Sequence, residues 1–200
     1  MIPTLERSDF EVIAEWVQPG HRVLDLGCGD GALLKLLIES RGVKGWGVEI
    51  DSDNVLAAIR NGINVIQGNL EHGLAGFADG AFDHVVLSRT LQTVRHTEAI
   101  LSEMLRVGGE AVVSFPNFAY WKNVRAVLDG HMPVSEDLPY QWYDSPNVRF
   151  FTLLDFEALC ARMGLNIRER RVLDEKGRII TDQEVNFLGS LAVYRLSRTR

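Results

Sequence analysis

The segment Asp25-Leu26-Gly27-Cys28-Gly29-Asp30-Gly31 constrains this chain more than any other. Three glycines at alternate positions, directly after the apolar Val23-Leu24, let a backbone turn sharply and approach a ligand, because glycine adopts positive φ without a Cβ clash. A strand that ends in such a turn and opens into a helix forms the ligand-binding corner of open α/β sheets. Short apolar runs alternating with helical patterns supply the rest of that sheet, as parallel strands joined by crossover helices require. Strands are expected at 21–26, 44–49, 63–67, 82–88 and 109–115, each short and apolar enough to be covered on both faces. Helices are expected at 31–40, 52–61 and 94–106, and Ser8-Asp9 before Phe10, Val12, Ile13 and Trp16 reads as the cap of a leading helix ending near Pro19-Gly20.

After residue 115 the rhythm changes. One helix is expected at about 118–129 inside an aromatic, proline-containing stretch. A second follows at 152–163, capped by Thr152 and ended by Gly164, and strands at 165–173 and 190–196 complete the pattern. With 200 residues, 46% of them hydrophobic, the chain can bury one substantial core, and a single domain spanning 1–200 is expected. The formal net charge of −6 opposes contact with nucleic-acid phosphates. Two cysteines, Cys28 and Cys160, make neither a disulfide framework nor a zinc set, so no metal is expected and a reducing compartment fits best. Charges at Glu6, Arg7 and Asp9 argue against a signal peptide, and no run nears the roughly 18 apolar residues of a membrane helix. A cytoplasmic protein is expected.

Glycine spacing alone leaves the ligand open, because Gly27-Cys28-Gly29-Asp30-Gly31-Ala32 also satisfies the dinucleotide pattern G-x-G-x-x-G/A. Charge separates the two readings. Carboxylates at Asp25 and Asp30 oppose a pyrophosphate, whereas S-adenosylmethionine brings a sulfonium and an α-ammonium and no phosphate. Glu49 lies 18 residues past Gly31, close to the roughly 20-residue spacing at which an acidic residue accepts from ribose hydroxyls. A carboxylate can take both hydroxyls; Asp51 suits the cap of the next helix better. Cys28 reads as a small turn residue with nothing nearby to activate a thiolate.

Val23 to Gly31, followed by Gly47-Val48-Glu49-Ile50, resembles the first two motifs of the class I S-adenosylmethionine-dependent methyltransferases over roughly residues 10–115. The resemblance implies an α/β Rossmann-like fold with a mostly parallel seven-stranded sheet and helices on both faces. It also implies cofactor contacts at Asp25, Gly27, Cys28, Gly29, Gly31, Glu49 and Ile50. Gly68, Asn69 and Leu70 match the segment after the third strand, where an acidic residue contacts the adenine amino group; Asn69 departs from that pattern and removes the charge assistance. Ser88 closes the matching fourth strand, and Gln92 falls in the segment that backs the methionine moiety.

Methyl transfer needs alignment and, for a hydroxyl or amine acceptor, a base. No residue stands out: His84, His96, His131, Tyr120, Tyr140 and Tyr143 are the candidates, and catalytic residues stay unassigned. Asp83 reads as a backbone anchor at a strand start. The runs 115–121 and 138–144 place seven aromatics beside the ligand edge, suited to an acceptor pocket, a protein interface or a lid packed on its own domain. These runs, with Gly130-His131-Met132-Pro133-Val134, are similar to the methionine-biosynthesis protein W (MetW) family over nearly the whole chain. That resemblance implies a role in methionine biosynthesis as partner or activator of homoserine O-acyltransferase, with S-adenosylmethionine or S-adenosylhomocysteine bound. The alternative is a methyltransferase acting on a small-molecule acceptor. Oligomeric state is left open.

Overall fold

A computed structural model describes residues 7–181 and 183–199. Seven strands form one sheet: β1 (Arg22–Leu26), β2 (Lys44–Glu49), β3 (Asn64–Gln67), β4 (Phe82–Ser88), β5 (Gly108–Pro116), β6 (Leu165–Leu173) and β7 (Leu191–Arg198). Their order is β3-β2-β1-β4-β5-β7-β6, and only the pairings of β7 are antiparallel. The parallel strands read as apolar runs because both faces are covered: Val23, Leu24, Val85, Val86, Leu87, Val112 and Val113 are fully buried.

Helices α1 (Ser8–Trp16), α2 (Ala32–Arg41) and α3 (Ser52–Arg60) come before β4, and α4 (Thr97–Val107), α5 (Trp121–Leu128), α6 (Leu153–Arg162) and α7 (Val185–Leu188) after it. Two apolar cores result. One holds Val12, Ile13, Trp16, Leu33, Leu34 and Leu37 from α1 and α2; the other holds Ile100, Leu101, Met104, Phe156 and Tyr194.

Local signals located most elements to within a residue or two, and the exceptions have physical causes. Helix α4 starts at Thr97 rather than 94 because Leu91–Thr93 closes a 3-10 turn whose hydrogen bond from Val94 to Leu91 leaves the chain extended. Helix α5 starts at Trp121 rather than 118, since the Asn117 side chain accepts from Ala119 N and turns the backbone first. Thr152 does cap α6, in a reciprocal capping box with Asp155, and Asp51 caps α3 through Asp53 N and Asn54 N. Asp9 is not a cap. Helix α1 has no side-chain cap, and Asp9 points into the protein, completely buried.

Candidate functional site

The C-terminal ends of β1, β2 and β4 meet at one edge of the sheet, because β4 pairs with β1 in the middle of the strand order. The glycine turn leaves β1 there. Gly27 has φ of 70°, and a Cβ on it would come within 2.9 Å of the Thr90 side chain; Gly31 has φ of 79° and would meet Ile63 at 2.6 Å. Both positions therefore demand glycine twice over, by backbone conformation and by space. Gly27 N and Cys28 N donate to Val48 O at 2.8 and 3.1 Å, which seats the turn on β2.

Glu49 ends β2 with its carboxylate turned onto the turn. Oε2 accepts from Gly29 N at 2.9 Å, and Oε1 accepts from Ile50 N and Asp51 N, both at 2.8 Å. Three of the roughly four acceptor positions of a carboxylate are thus occupied by backbone. This sharpens the expectation of two ribose contacts: in this arrangement Glu49 has room for one more hydrogen bond, and its other work is to pin the glycine turn to β2. Ile50 beside it is 60% exposed and offers an apolar face. Gly68 N donates to Glu49 O, while Asn69 Oδ1 accepts from Glu71 N and caps the 3-10 turn Leu70–His72. Asn69 keeps an amide N–H₂ and one lone pair for other partners.

Asp25 is completely desolvated, and its Oδ1 has no hydrogen-bond partner. Burial, with Asp9 and Glu49 adding to it against Arg7, pushes the carboxyl up to about 7. An orphaned buried carboxyl at this turn fits a ligand that brings its own cation, such as an α-ammonium. Cys28 packs under the turn, and burial followed by the charges of Asp25 and Glu49 pushes its thiol up to about 12. It is a small buried side chain and no thiolate.

Ser88 belongs to a cluster that sequence reading missed. Asp9 Oδ2 accepts from Ser88 Oγ at 2.6 Å, Ser114 Oγ at 2.9 Å and Arg7 Nη2 at 3.0 Å, while Oδ1 accepts from Arg7 Nε at 3.0 Å and lies 3.5 Å from Arg89 Nε. Burial alone would raise the Asp9 carboxyl; Arg7, Arg89 and Ser88 hold it down at about 2. Charges so close in the sequence as Arg7 and Asp9 carry no signal of this role, because the partners Ser88 and Ser114 lie 79 and 105 residues away. Arg89 turns the chain out of β4 at φ of 49°, the one non-glycine residue with positive φ among those described. Gln92 is buried, donates to Arg89 O at 2.6 Å, and leaves its Oε1 without a partner.

The candidate bases separate. His84 is buried near the start of β4, at the opposite edge from the turn, 3.1 Å from a His21 ring nitrogen; burial lowers its pKa, opposed by Glu110. His96 and His131 are exposed, as are Tyr140 and Tyr143, and Tyr120 is buried. Asp83 anchors the start of β1, accepting from Arg22 N and its guanidinium, as expected of a strand-start carboxylate. Among the described residues no group of three or more His, Cys, Asp or Glu side chains could hold a metal ion.

Residues 129–152 form no helix or strand and return to the ligand edge, where Val148 N and Arg149 N both donate to Gln92 O. Of the seven aromatics Phe118 is half-buried, and the other six split into two groups. Phe115 and Tyr120 are buried, whereas Trp142 and Tyr143 are 75% and 71% exposed and Tyr140 and Trp121 nearly half exposed.

This sheet order, with the reversed β7 between β5 and β6 and the glycine turn at the end of β1, defines the fold of the class I S-adenosylmethionine-dependent methyltransferases. A methyltransferase of that kind from Mesorhizobium loti superposes with a TM-score of 0.72 at 17% identity, covering 96% of this chain and 99% of its own. Another from Thiobacillus denitrificans, solved in complex with S-adenosyl-L-homocysteine, gives 0.67 at 16% identity, covering 96% and 92%. The chain belongs to the family described as methionine biosynthesis protein MetW, whose model matches residues 7–196. The bifunctional methionine biosynthesis protein MetXA/MetW of Rhodopirellula baltica is 38% identical over 95% of this chain, which spans about a third (32%) of that relative's length. No helix among the described residues is long and apolar enough to cross a membrane.

Two outcomes follow for the turn. Glu49→Ala is expected to weaken binding of S-adenosylhomocysteine by about 1–3 kcal/mol, as loss of a charge-assisted acceptor that also positions the turn would. Calorimetric affinity within twofold of wild type would refute the assignment. Asp25 gives a pH signature. Its folded pKa lies above the usual 3.8, so its contribution to ligand-free stability is full below about pH 4 and declines as pH rises through about 7. A cationic ligand favours the ionised form, so affinity should rise between pH 6 and 8, with proton release on binding at pH 6. Titration in buffers of different ionisation enthalpy measures that release; none at pH 6 contradicts it.

Proposed function

We propose that this chain binds S-adenosylmethionine or S-adenosylhomocysteine at the glycine turn and serves methionine biosynthesis beside a homoserine O-acyltransferase, which it accompanies or activates. The observation that carries the reading is the Rhodopirellula relative, in which a MetW-like part shares one polypeptide with a part named MetXA. Fusion holds two proteins at high effective concentration, and it favours pairing of the separate chains.

The ligand would lie with Asp25 at its α-ammonium, Glu49 at a ribose hydroxyl, and Ile50, Gly68, Asn69 and Leu70 around the base. Gly27, Cys28, Gly29 and Gly31 shape the backbone beneath it, with Ser88 and Gln92 at the methionyl end. When bound, the donor brings an activated methyl group; this chain's residues orient it and exclude water. The exposed Tyr140, Trp142 and Tyr143 suit a partner surface, since their rings are apolar and their tips polar. The 1–200 chain acts as one domain, and its free, buried Cys28 and Cys160 suit a reducing cytoplasm. Because the ligand derives from methionine, its occupancy would couple end-product level to acyl transfer.

Co-purification with the acyltransferase and an acyl-transfer assay with and without this chain test the pairing. A complex and a changed rate are expected; no complex and an unchanged rate overturn it. The fold shared with methyltransferases supports a second reading, methylation of a small acceptor, and transfer of a labelled methyl group to a metabolite pool would decide for it.

A further inference from the structure

On the same edge of the sheet as the glycine turn lies a cavity of about 410 Å³ bordered by Arg7, Arg89, Glu136, Asp137, Lys176 and Leu191. Its size is within the roughly 300–1,000 Å³ of small-ligand sites. Two guanidinium groups reach it from one buried base. Asp9 pairs with both Arg7 and Arg89 and is itself completely withdrawn from water, so the trio carries one surplus positive charge beside the cavity.

One carboxylate from outside the trio meets that surplus by direct contact. Asp137, in the irregular segment after α5, places Oδ1 3.1 Å from Arg89 Nη1. Arg89 Nε is buried and makes no hydrogen bond, lying 3.5 Å from Asp9 Oδ1, beyond the usual N–H···O range. A guanidinium is built to give parallel N–H groups to a carboxylate, and here a single oxygen from a loop fills part of that place. The rest of the wall has mixed sign: Lys176 faces Glu136, Asp174 and Glu175, of which Asp174 is paired with Arg178 and Glu175 with Lys122, and Leu191 is its apolar member. Anion recognition on one side with carboxylates on the other matches a zwitterion better than a simple acid or an amine.

We propose that this cavity is a second ligand site, which binds a small free amino acid through its carboxylate at Arg89 and Arg7, and that Asp137 stands in for that carboxylate in the ligand-free chain. The ammonium group faces Glu136 across the cavity. The simultaneous presence of an adenosyl ligand next to it rests on the reading of the glycine turn given above; the amino-acid site itself does not.

Calorimetric titration of the full chain with L-serine, L-homoserine and L-methionine, each with and without saturating S-adenosylhomocysteine, tests the site. The carboxylate-free counterparts 2-aminoethanol and 3-aminopropan-1-ol serve as controls. At least one amino acid is expected to bind saturably under both conditions, and the amines are not. Asp137→Asn should tighten that binding about 3- to 10-fold by removing the internal competitor, while Arg89→Gln should weaken it at least about 10-fold. Asp137→Asn alone carries the test where Arg89→Gln fails to fold.

The proposal is overturned by absence of saturable binding to both wild type and Asp137→Asn, or by weaker binding to Asp137→Asn. Displacement of the amino acid by S-adenosylhomocysteine also overturns it, since the cavity would then hold the methionyl end of the adenosyl ligand. Failure of S-adenosylhomocysteine to bind at all would refute the reading of the turn, and the titrations without it would still decide the amino-acid site.

Discussion

Phe115→Ala is expected to cost about 3–5 kcal/mol of folding stability, the range for deleting a large buried ring whose cavity cannot collapse. Phe115 is completely buried near the end of β5, with ring centroids 4.7 Å from Phe151, 4.8 Å from Phe156 and 5.6 Å from Tyr194. These partners come from the start of α6 with the residues just before it and from β7, so the ring ties β5 to two segments far from it in sequence. Urea unfolding followed by circular dichroism measures the loss. Trp142→Ala is the internal control: three-quarters exposed, it should shift stability by less than about 0.5 kcal/mol. Equal effects of the two substitutions would contradict the separation of the aromatic segment into core and surface members.

Asp9→Ala is expected to cost about 2–4 kcal/mol. Removing one member of a buried ionic cluster typically costs about 3–5 kcal/mol because the remaining charges stay desolvated. The lower range applies here since Arg7 and Arg89 are about a third and a quarter exposed and can regain some water. The hydroxyls of Ser88 and Ser114 also lose their acceptor. The pH dependence follows from the direction of the shift. Asp9 is held at about 2, below its ordinary 3.8, so its contribution is full above about pH 4 and is lost as pH falls through about 2. Wild type should therefore lose stability between pH 4 and 2 more steeply than the variant. Parallel slopes, or a loss at pH 7 below about 0.5 kcal/mol, would refute the account.

The contrast between these two residues and the glycine turn shows what a sequence carries. Phe115 stands in the same aromatic run as Trp121, and composition treats them alike; burial by Phe156 and Tyr194 separates them. Asp9 sits beside Ser8 at the start of a helix, where a capping role is the local expectation. Besides Arg7, its hydrogen-bond partners Ser88 and Ser114 are supplied by β4 and β5, and no spacing rule reaches across 79 or 105 residues. Glu49 falls between the cases. Its position at the end of β2 was legible from its distance to Gly31, but the three backbone N–H groups that occupy it appear only when the turn folds back onto β2.

The glycine turn, the alternation of strands and helices, and the caps at Asp51 and Thr152 were determined by the sequence alone, because each depends on backbone freedom, side-chain period or hydrogen bonds within a few residues. Tertiary structure decided the rest: the insertion of β7 between β5 and β6, the desolvation that leaves Asp25 without a partner, and the gathering of Arg7, Asp9 and Arg89 around one cavity. Those properties depend on which distant segment excludes water from a group or supplies its opposite charge, and a linear pattern holds no record of either.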